Sequence, residues 1–224
     1  MSTEALIAEL GGTISKELLE LALTHSSYAY EKGGENNERL EFLGDSILGE
    51  LVAVHVFLNN PDLNEGELTK LKNAVVSAQA LATAANRIGL GAHLRLGKGE
   101  EQTDGRTKVN VLADAFEALI GAAYLSSGID SAAEIVNRHI IPLLSDPDAI
   151  REASDPKTSL LERAQKSKLG EVRYEVVGVG PDHQMLYTAT CFLGDKQVSI
   201  GTGSTKRGAE TQAAFEALRV LANA

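Results

Sequence analysis

The stretch Asn37–Gly49, NERLEFLGDSILG, sets the reading of the chain. Its apolar residues Leu40, Phe42, Leu43, Ile47 and Leu48 suit a helix buried inside a protein. Glu38, Glu41 and Asp45 are threaded through them, with the single arginine Arg39 beside them. At about 100° per residue these acids fall within roughly a 60° sector of one helix. Like charges at that spacing destabilise an isolated helix by a few tenths of a kcal/mol per pair. Burial raises the cost further unless cations compensate.

A second acidic group lies downstream in LADAFEALIGAAYL, where Asp114 and Glu117 stand three residues apart on one side of a helix. Taken alone, each group reads equally well as a solvated acidic face. Two such groups in long apolar helices, with few basic partners, favour a divalent metal site. The histidines His25, His55, His93, His139 and His183 are scattered, and Cys191 is the single cysteine, so zinc is disfavoured. Mg²⁺, or Mn²⁺, takes hard carboxylate oxygens and retains several waters. Two ions held by shared carboxylates would suit in-line attack on a phosphodiester.

Working outward, the chain of 224 residues is 43% hydrophobic, enough for real cores, and carries a net charge of −10. That charge is uneven. Residues 1–150 hold 11 Lys/Arg against 22 Asp/Glu, whereas residues 151–224 hold 10 against 9. An acidic half can still approach a polyanion if bound divalent cations invert the local field. The N-terminus lacks the basic start and apolar run of a signal peptide. ILGELVAVHVFL is too short and too interrupted by Glu50 and His55 to span a bilayer. A soluble cytoplasmic protein with no membrane partner is the expectation.

Helical periodicity dominates to about residue 144, and no convincing strand appears there. The segment SDPDAIREASDP, Ser145–Pro156, combines proline, charge and small polar residues and marks a boundary. Beyond it Asp155 is a plausible N-cap, with Pro156 at the first helical position. Three β-like runs follow, VRYEVVGVG, LYTATCFLG and KQVSIGTG, and then a helix over roughly Thr205–Leu221. The expected architecture is an all-α domain over 1–145, a linker over 146–154, and a small α+β domain of order α-β-β-β-α over 155–224.

NERLEFLGDSIL resembles the signature motif of the bacterial ribonuclease III family. LADAFEALIGAAYL resembles that family's second acidic motif, and NEGELTKLK, Asn64–Lys72, a third. DPKTSLLERAQ, GPDHQMLYTA and GTGSTKRGAE resemble pieces of a double-stranded RNA-binding domain. The resemblance spans nearly the whole chain in the family's order. It implies an all-α endonuclease domain followed by a double-stranded RNA-binding domain, with Glu41, Asp45, Asp114 and Glu117 as metal ligands. On the same resemblance Asp45, Glu117 and Glu38 are catalytic, and Glu65 supports the site or the scissile strand. It implies hydrolysis of double-stranded RNA to 5′-phosphate and 3′-hydroxyl ends, by a homodimer that leaves short 3′ overhangs. Roles in processing ribosomal precursors and other structured RNAs follow from it. Phe42 matches an interface aromatic that inserts into the partner subunit; its plain alternative is a core phenylalanine.

Duplex RNA is read by shape, 2′-hydroxyls and phosphates. Thr158, Glu162 and Gln165 lie at helical spacing and can reach a minor groove, with His183 suited to a second. Thr205, Lys206 and Arg207 open the last helix, where charge and helix dipole favour phosphate. Taken singly, these residues read as ordinary solvated surface. The chain departs from the family at Leu161, Gly208 and Asn110, and a domain charge of only +1 predicts modest affinity. One rival is a catalytically silent binder of double-stranded RNA. A second, an esterase built on Ser46 of GDSI, lacks a later Asp-x-x-His pair. GLGAHLRLGKGE lacks the spacing of a phosphate-binding loop and is expected to turn the chain between helices.

Overall fold

The computed structural model describes residues 3–145, 152, 155–181 and 185–222. It forms two compact units, Met1–Ile150 and Arg151–Ala224. Most of the expected linker lies outside the described residues; Glu152, which is described, pairs with Arg163 at 3.2 Å.

The first unit is helical: α1 (Thr3–Leu10), α2 (Lys16–Ala22), α3 (Ser26–Lys32), α4 (Glu38–Asn59), α5 (Glu65–Val75), α6 (Ala78–Arg87), α7 (Lys98–Gln102), α8 (Val109–Ser127) and α9 (Ile129–His139). Polar caps set the starts of several. Ser15 and Ser77 accept backbone N–H bonds from Leu18 and Ala80 at 3.3 Å, and Asn64 and Glu67 close a reciprocal capping box. The GLGAHLRLGKGE segment does turn the chain, through Gly89 in the left-handed region and a 3-10 turn over Leu90–His93. A short parallel bridge joins Thr24 to Arg95, a strand-like contact that helical periodicity gives no sign of.

The core is organised around α8. Leu112, Phe116, Leu119, Ile120 and Ala123 are fully buried against neighbouring helices. By length and composition α8 is apolar enough to cross a membrane. Here it serves as the central core helix, which explains why it is hydrophobic nearly all round. The end of α9 is fastened to α1. His139 Nε2 lies 3.1 and 3.2 Å from the carbonyl oxygens of Glu9 and Leu10. Arg138 donates to the Ala8 and Glu9 carbonyls at 3.1 Å.

The second unit runs α10 (Pro156–Lys166), β1 (Val172–Val179), β2 (Leu186–Leu193), β3 (Lys196–Gly203) and α11 (Lys206–Ala222). The sheet is antiparallel in the order β1-β2-β3, pairing Val172 with Leu193 and Cys191 with Ser199. Alternation along β2 turns Ala189, Cys191 and Leu193 inward, onto Leu160 and Ala164 of α10 and Ala209, Ala213 and Leu218 of α11. Gly201 lets α11 approach β3 closely, since a β-carbon there would overlap the Ala213 amide. Ser199 Oγ donates to the Ala213 carbonyl at 2.6 Å across the same seam.

Candidate metal centre and nucleic-acid interface

Helices α4 and α8 cross where each carries a glycine. A β-carbon on Gly44 would overlap the Glu117 carbonyl oxygen, and one on Gly121 would overlap the Leu40 carbonyl oxygen. With no side chains between them the backbones touch, and the carboxylates flanking the crossing are brought together. Carboxylate oxygens of Glu41, Asp114 and Glu117 all lie within 4.8 Å of one another. The start of α4 is held in place by Asn37, which is buried. Its N–H donates to the Thr24 carbonyl at 2.9 Å and its Nδ2 to the Ala22 carbonyl at 3.3 Å.

Electrostatics marks the cluster as strained without a cation. Burial pushes the Glu117 carboxyl up to about 8, with Asp45, Glu41 and Asp114 adding to the rise. Glu41 is raised by burial and then by Asp114, Glu38 and Asp45. Asp114 is raised by burial, with His25 opposing. Groups forced towards the neutral acid by burial and by each other are what a divalent cation would relieve, and an all-carboxylate donor set suits a hard cation.

The residues singled out in the sequence fall into graded positions. Asp45 lies one turn beyond Glu41 on α4 and acts electrostatically on Glu41 and Glu117, but it is exposed and outside the group that converges within 4.8 Å. Glu38 is exposed and acts on Glu41. Glu65 is exposed at the first position of α5, accepts a hydrogen bond from Thr69 Oγ1 at 3.3 Å, and does not join the cluster. Phe42 is 77% exposed, which removes the alternative of a core phenylalanine within one chain. It stands two residues from Gly44, about 200° round the helix, so the crossing that buries Gly44 turns Phe42 outward. Ser46 only returns its hydroxyl to the Phe42 carbonyl, at 3.3 Å, which leaves no base-activated nucleophile there.

In the second unit, Asp155 accepts from the Thr158 N–H at 3.2 Å and Pro156 occupies the first turn of α10. Thr158, Glu162 and Gln165 are exposed on one side of α10, while Leu160 and Ala164 are buried on the other. Leu161, one of the family departures, is 45% exposed beside them. Thr205 Oγ1 accepts from the Gly208 N–H at 3.0 Å, capping α11 and leaving Lys206 and Arg207 exposed at its start. A side chain at position 208 would begin 3.1 Å from that hydroxyl, so glycine eases the cap. His183 lies outside the described residues.

Residues 15–144 match the ribonuclease-III-like family, and residues 156–221 match the double-stranded RNA binding motif. The chain belongs to the ribonuclease III family. A Ribonuclease 3 of Leifsonia xyli is 53% identical over 98% of this chain and 93% of its own length. One from Thermobifida fusca is 46% identical over 95% and 89%. The nuclease domain of ribonuclease III from Campylobacter jejuni has the same fold, with a TM-score of 0.59 at 38% identity, covering 62% of this chain and 96% of that one. This ribonuclease III family member is thus an endoribonuclease with a double-stranded RNA-binding domain.

Motif reading passed over Gly44, Gly121, Asn37 and His25. Glycines inside a helical pattern cost about 1 kcal/mol relative to alanine, so their presence signals a packing requirement. Nothing comparable marks His25. Its Nδ1 accepts the Ser27 N–H at 3.2 Å, and its charge opposes the rise at Asp114.

Proposed function

We propose that the chain is a divalent-metal-dependent hydrolase of double-stranded RNA, giving 5′-phosphate and 3′-hydroxyl ends with short 3′ overhangs. The observation that carries this is the convergence of Glu41, Asp114 and Glu117, with Asp45 one turn away. These are the residues that would hold Mg²⁺, or Mn²⁺ in its place. When bound, such an ion supplies an activated water and stabilises charge on phosphate. The chain's own share is to present deprotonated carboxylates from two helices locked together at Gly44 and Gly121. Asp45, Glu117 and Glu38 are assigned to catalysis, and Glu65 to supporting the scissile strand. Thr158, Glu162, Gln165, His183, Thr205, Lys206 and Arg207 are assigned to duplex RNA.

The active form on this reading is a homodimer with one site for each strand. Supporting this, Phe42 protrudes at the wall of a cavity of about 830 Å³ that is also lined by Leu18, Leu21, Leu43 and Leu125, with Glu35, Glu38 and Arg39 on its polar side. An exposed aromatic next to an apolar hollow is what a symmetric interface needs, each copy giving a knob and receiving one. We place the enzyme in the cytoplasm, processing ribosomal precursors and other structured RNAs. A silent binder of duplex RNA is disfavoured, because every proposed metal carboxylate is retained.

End-mapping of fragments from a defined duplex tests the proposal. Staggered cuts on both strands, dependent on Mg²⁺ or Mn²⁺ and stopped by chelator, are expected. Cleavage unaffected by excess chelator would overturn the metal mechanism.

A further inference from the structure

We propose that Tyr30 and Lys98 form an additional contact for the ribose-phosphate backbone of the RNA duplex, on the nuclease unit beside the carboxylate cluster. The proposal rests on the duplex-RNA reading above and adds residues outside every motif that supported it.

Tyr30, on α3, is 93% exposed, and its side chain makes no hydrogen bond or ring contact among the described residues. It borders an open groove of about 620 Å³ whose other walls include Ser26, Asn36, Gly34 and Gly99. Gly99 belongs to the first turn of α7, which Gly97 caps and Lys98 opens, the look-alike phosphate loop of the sequence. That turn is fixed against α3, since the Gly97 N–H donates to Ser27 Oγ at 2.9 Å. A β-carbon on Gly97 would come within 2.6 Å of the Ser27 carbonyl, so the turn cannot sit as close with another residue there. Gly34 and Gly99 have nothing within 4 Å of a notional β-carbon, which leaves the groove floor open to a backbone of another molecule.

The groove is linked to the metal cluster along the chain. Asn36 Oδ1 accepts the Glu38 N–H at 3.1 Å at the start of α4. His25, which precedes Ser26, acts electrostatically on Asp114. A strand held near the carboxylates would therefore pass this wall.

The chemistry suits sugar more than base or bulk phosphate. The groove carries Glu31 and Glu100, so it is no general anion site. Glu100 is already engaged by Lys108 at 2.7 Å. Lys98 is exposed next to the lining residue Gly99, with no ion pair among the described residues, and is free to meet one phosphate. A protruding phenol ring gives an apolar face and a hydroxyl to a ribose edge. Hydroxyl and amide groups at Ser26 and Asn36 match 2′-hydroxyls, which line the accessible minor groove of A-form RNA.

The test uses the full chain and a defined duplex with Mg²⁺. Tyr30→Ala is expected to raise KM five- to tenfold with kcat unchanged, and Tyr30→Trp to restore it. Lys98→Ala is expected to reduce the slope of log affinity against log salt by about one, measured in a Glu117→Gln background so that RNA stays intact. Hydroxyl-radical footprinting of the same complexes should lose ribose protection next to the scissile position with Tyr30→Ala and keep it elsewhere. An unchanged KM and footprint for Tyr30→Ala, or an unchanged slope for Lys98→Ala, overturns the proposal while wild-type cleavage stands. Absence of duplex cleavage by the wild type would instead count against the nuclease reading.

Discussion

Gly44 rests directly on the Glu117 carbonyl, so that the residue next to the α4 acids has no side chain because the α8 backbone is there. Neither backbone can yield cheaply, since each lies inside a long helix. Gly44→Ala should therefore push the helices apart and cost about 1–3 kcal/mol or more in stability, measured by urea or thermal unfolding. Cleavage should fall by a larger factor than the fraction unfolded explains, because Glu41 separates from Asp114 and Glu117. Retained activity with normal stability would show that the crossing does not set the site.

Glu117→Gln keeps the shape of the side chain and removes its charge. Duplex cleavage should be abolished, while RNA binding measured by gel shift changes by less than about twofold. The metal-free variant should also be more stable than the wild type, because a carboxylate raised by burial and three neighbours is replaced by a neutral amide. A destabilised Gln variant would contradict that electrostatic account.

The same group sets a pH dependence whose sign can be worked out. Glu117 titrates near 8 in the folded chain against an ordinary value of 4.5. Between those values the folded state holds a proton that the unfolded state has released, so this group's contribution to stability declines as pH rises. Metal and proton compete for the same oxygens. The rise in melting temperature on adding Mg²⁺ should thus be greater at pH 8 than at pH 6. Calorimetric scans with and without Mg²⁺ check this; an Mg²⁺ effect that shrinks with pH would be inconsistent with it.

The acids on α4 and α8 were legible because a helix repeats every 3.6 residues, and charges at three- and four-residue spacing must share a side. The second unit was legible for related reasons: Asp155-Pro156 starts a helix by its own local chemistry, and alternation marks the strands. What periodicity does not contain is which neighbour covers which side. Phe42 belongs to the apolar set of NERLEFLGDSILG, yet the crossing with α8 takes Leu40, Gly44, Ile47 and Leu48 inward and leaves Phe42 outside. The electrostatic effect of His25 on Asp114 was illegible for the same reason, since it depends on a return of chain near Thr24 and Arg95. The exposure of Asp45 and Glu38 also softens the burial cost that the sequence suggested.

Phe42 offers a test of the proposed homodimer. At 77% exposure its removal sacrifices little packing within one chain. Phe42→Ala should leave the monomer's thermal stability nearly unchanged at high dilution, yet weaken association at least tenfold by analytical ultracentrifugation. Burying an aromatic side chain is worth about 1.5–3 kcal/mol, which sets that scale. An unaltered dissociation constant would exclude Phe42 from the interface.

The start of α11 is the last point of test. Most other described cations of the second unit have acidic partners, as in Lys157 with Glu210 at 2.6 Å and Arg163 with Glu152 at 3.2 Å. Lys206 and Arg207 are exposed at a helix start capped by Thr205, where the dipole adds to their charge. Each phosphate they neutralise should contribute about 0.9 to the salt slope, scaled for a duplex. Lys206→Ala with Arg207→Ala should therefore lower that slope by nearly two and weaken duplex binding similarly for unrelated sequences. Fluorescence anisotropy across a salt series reads both quantities. A loss of affinity with no change in slope would mean that these side chains touch something other than phosphate.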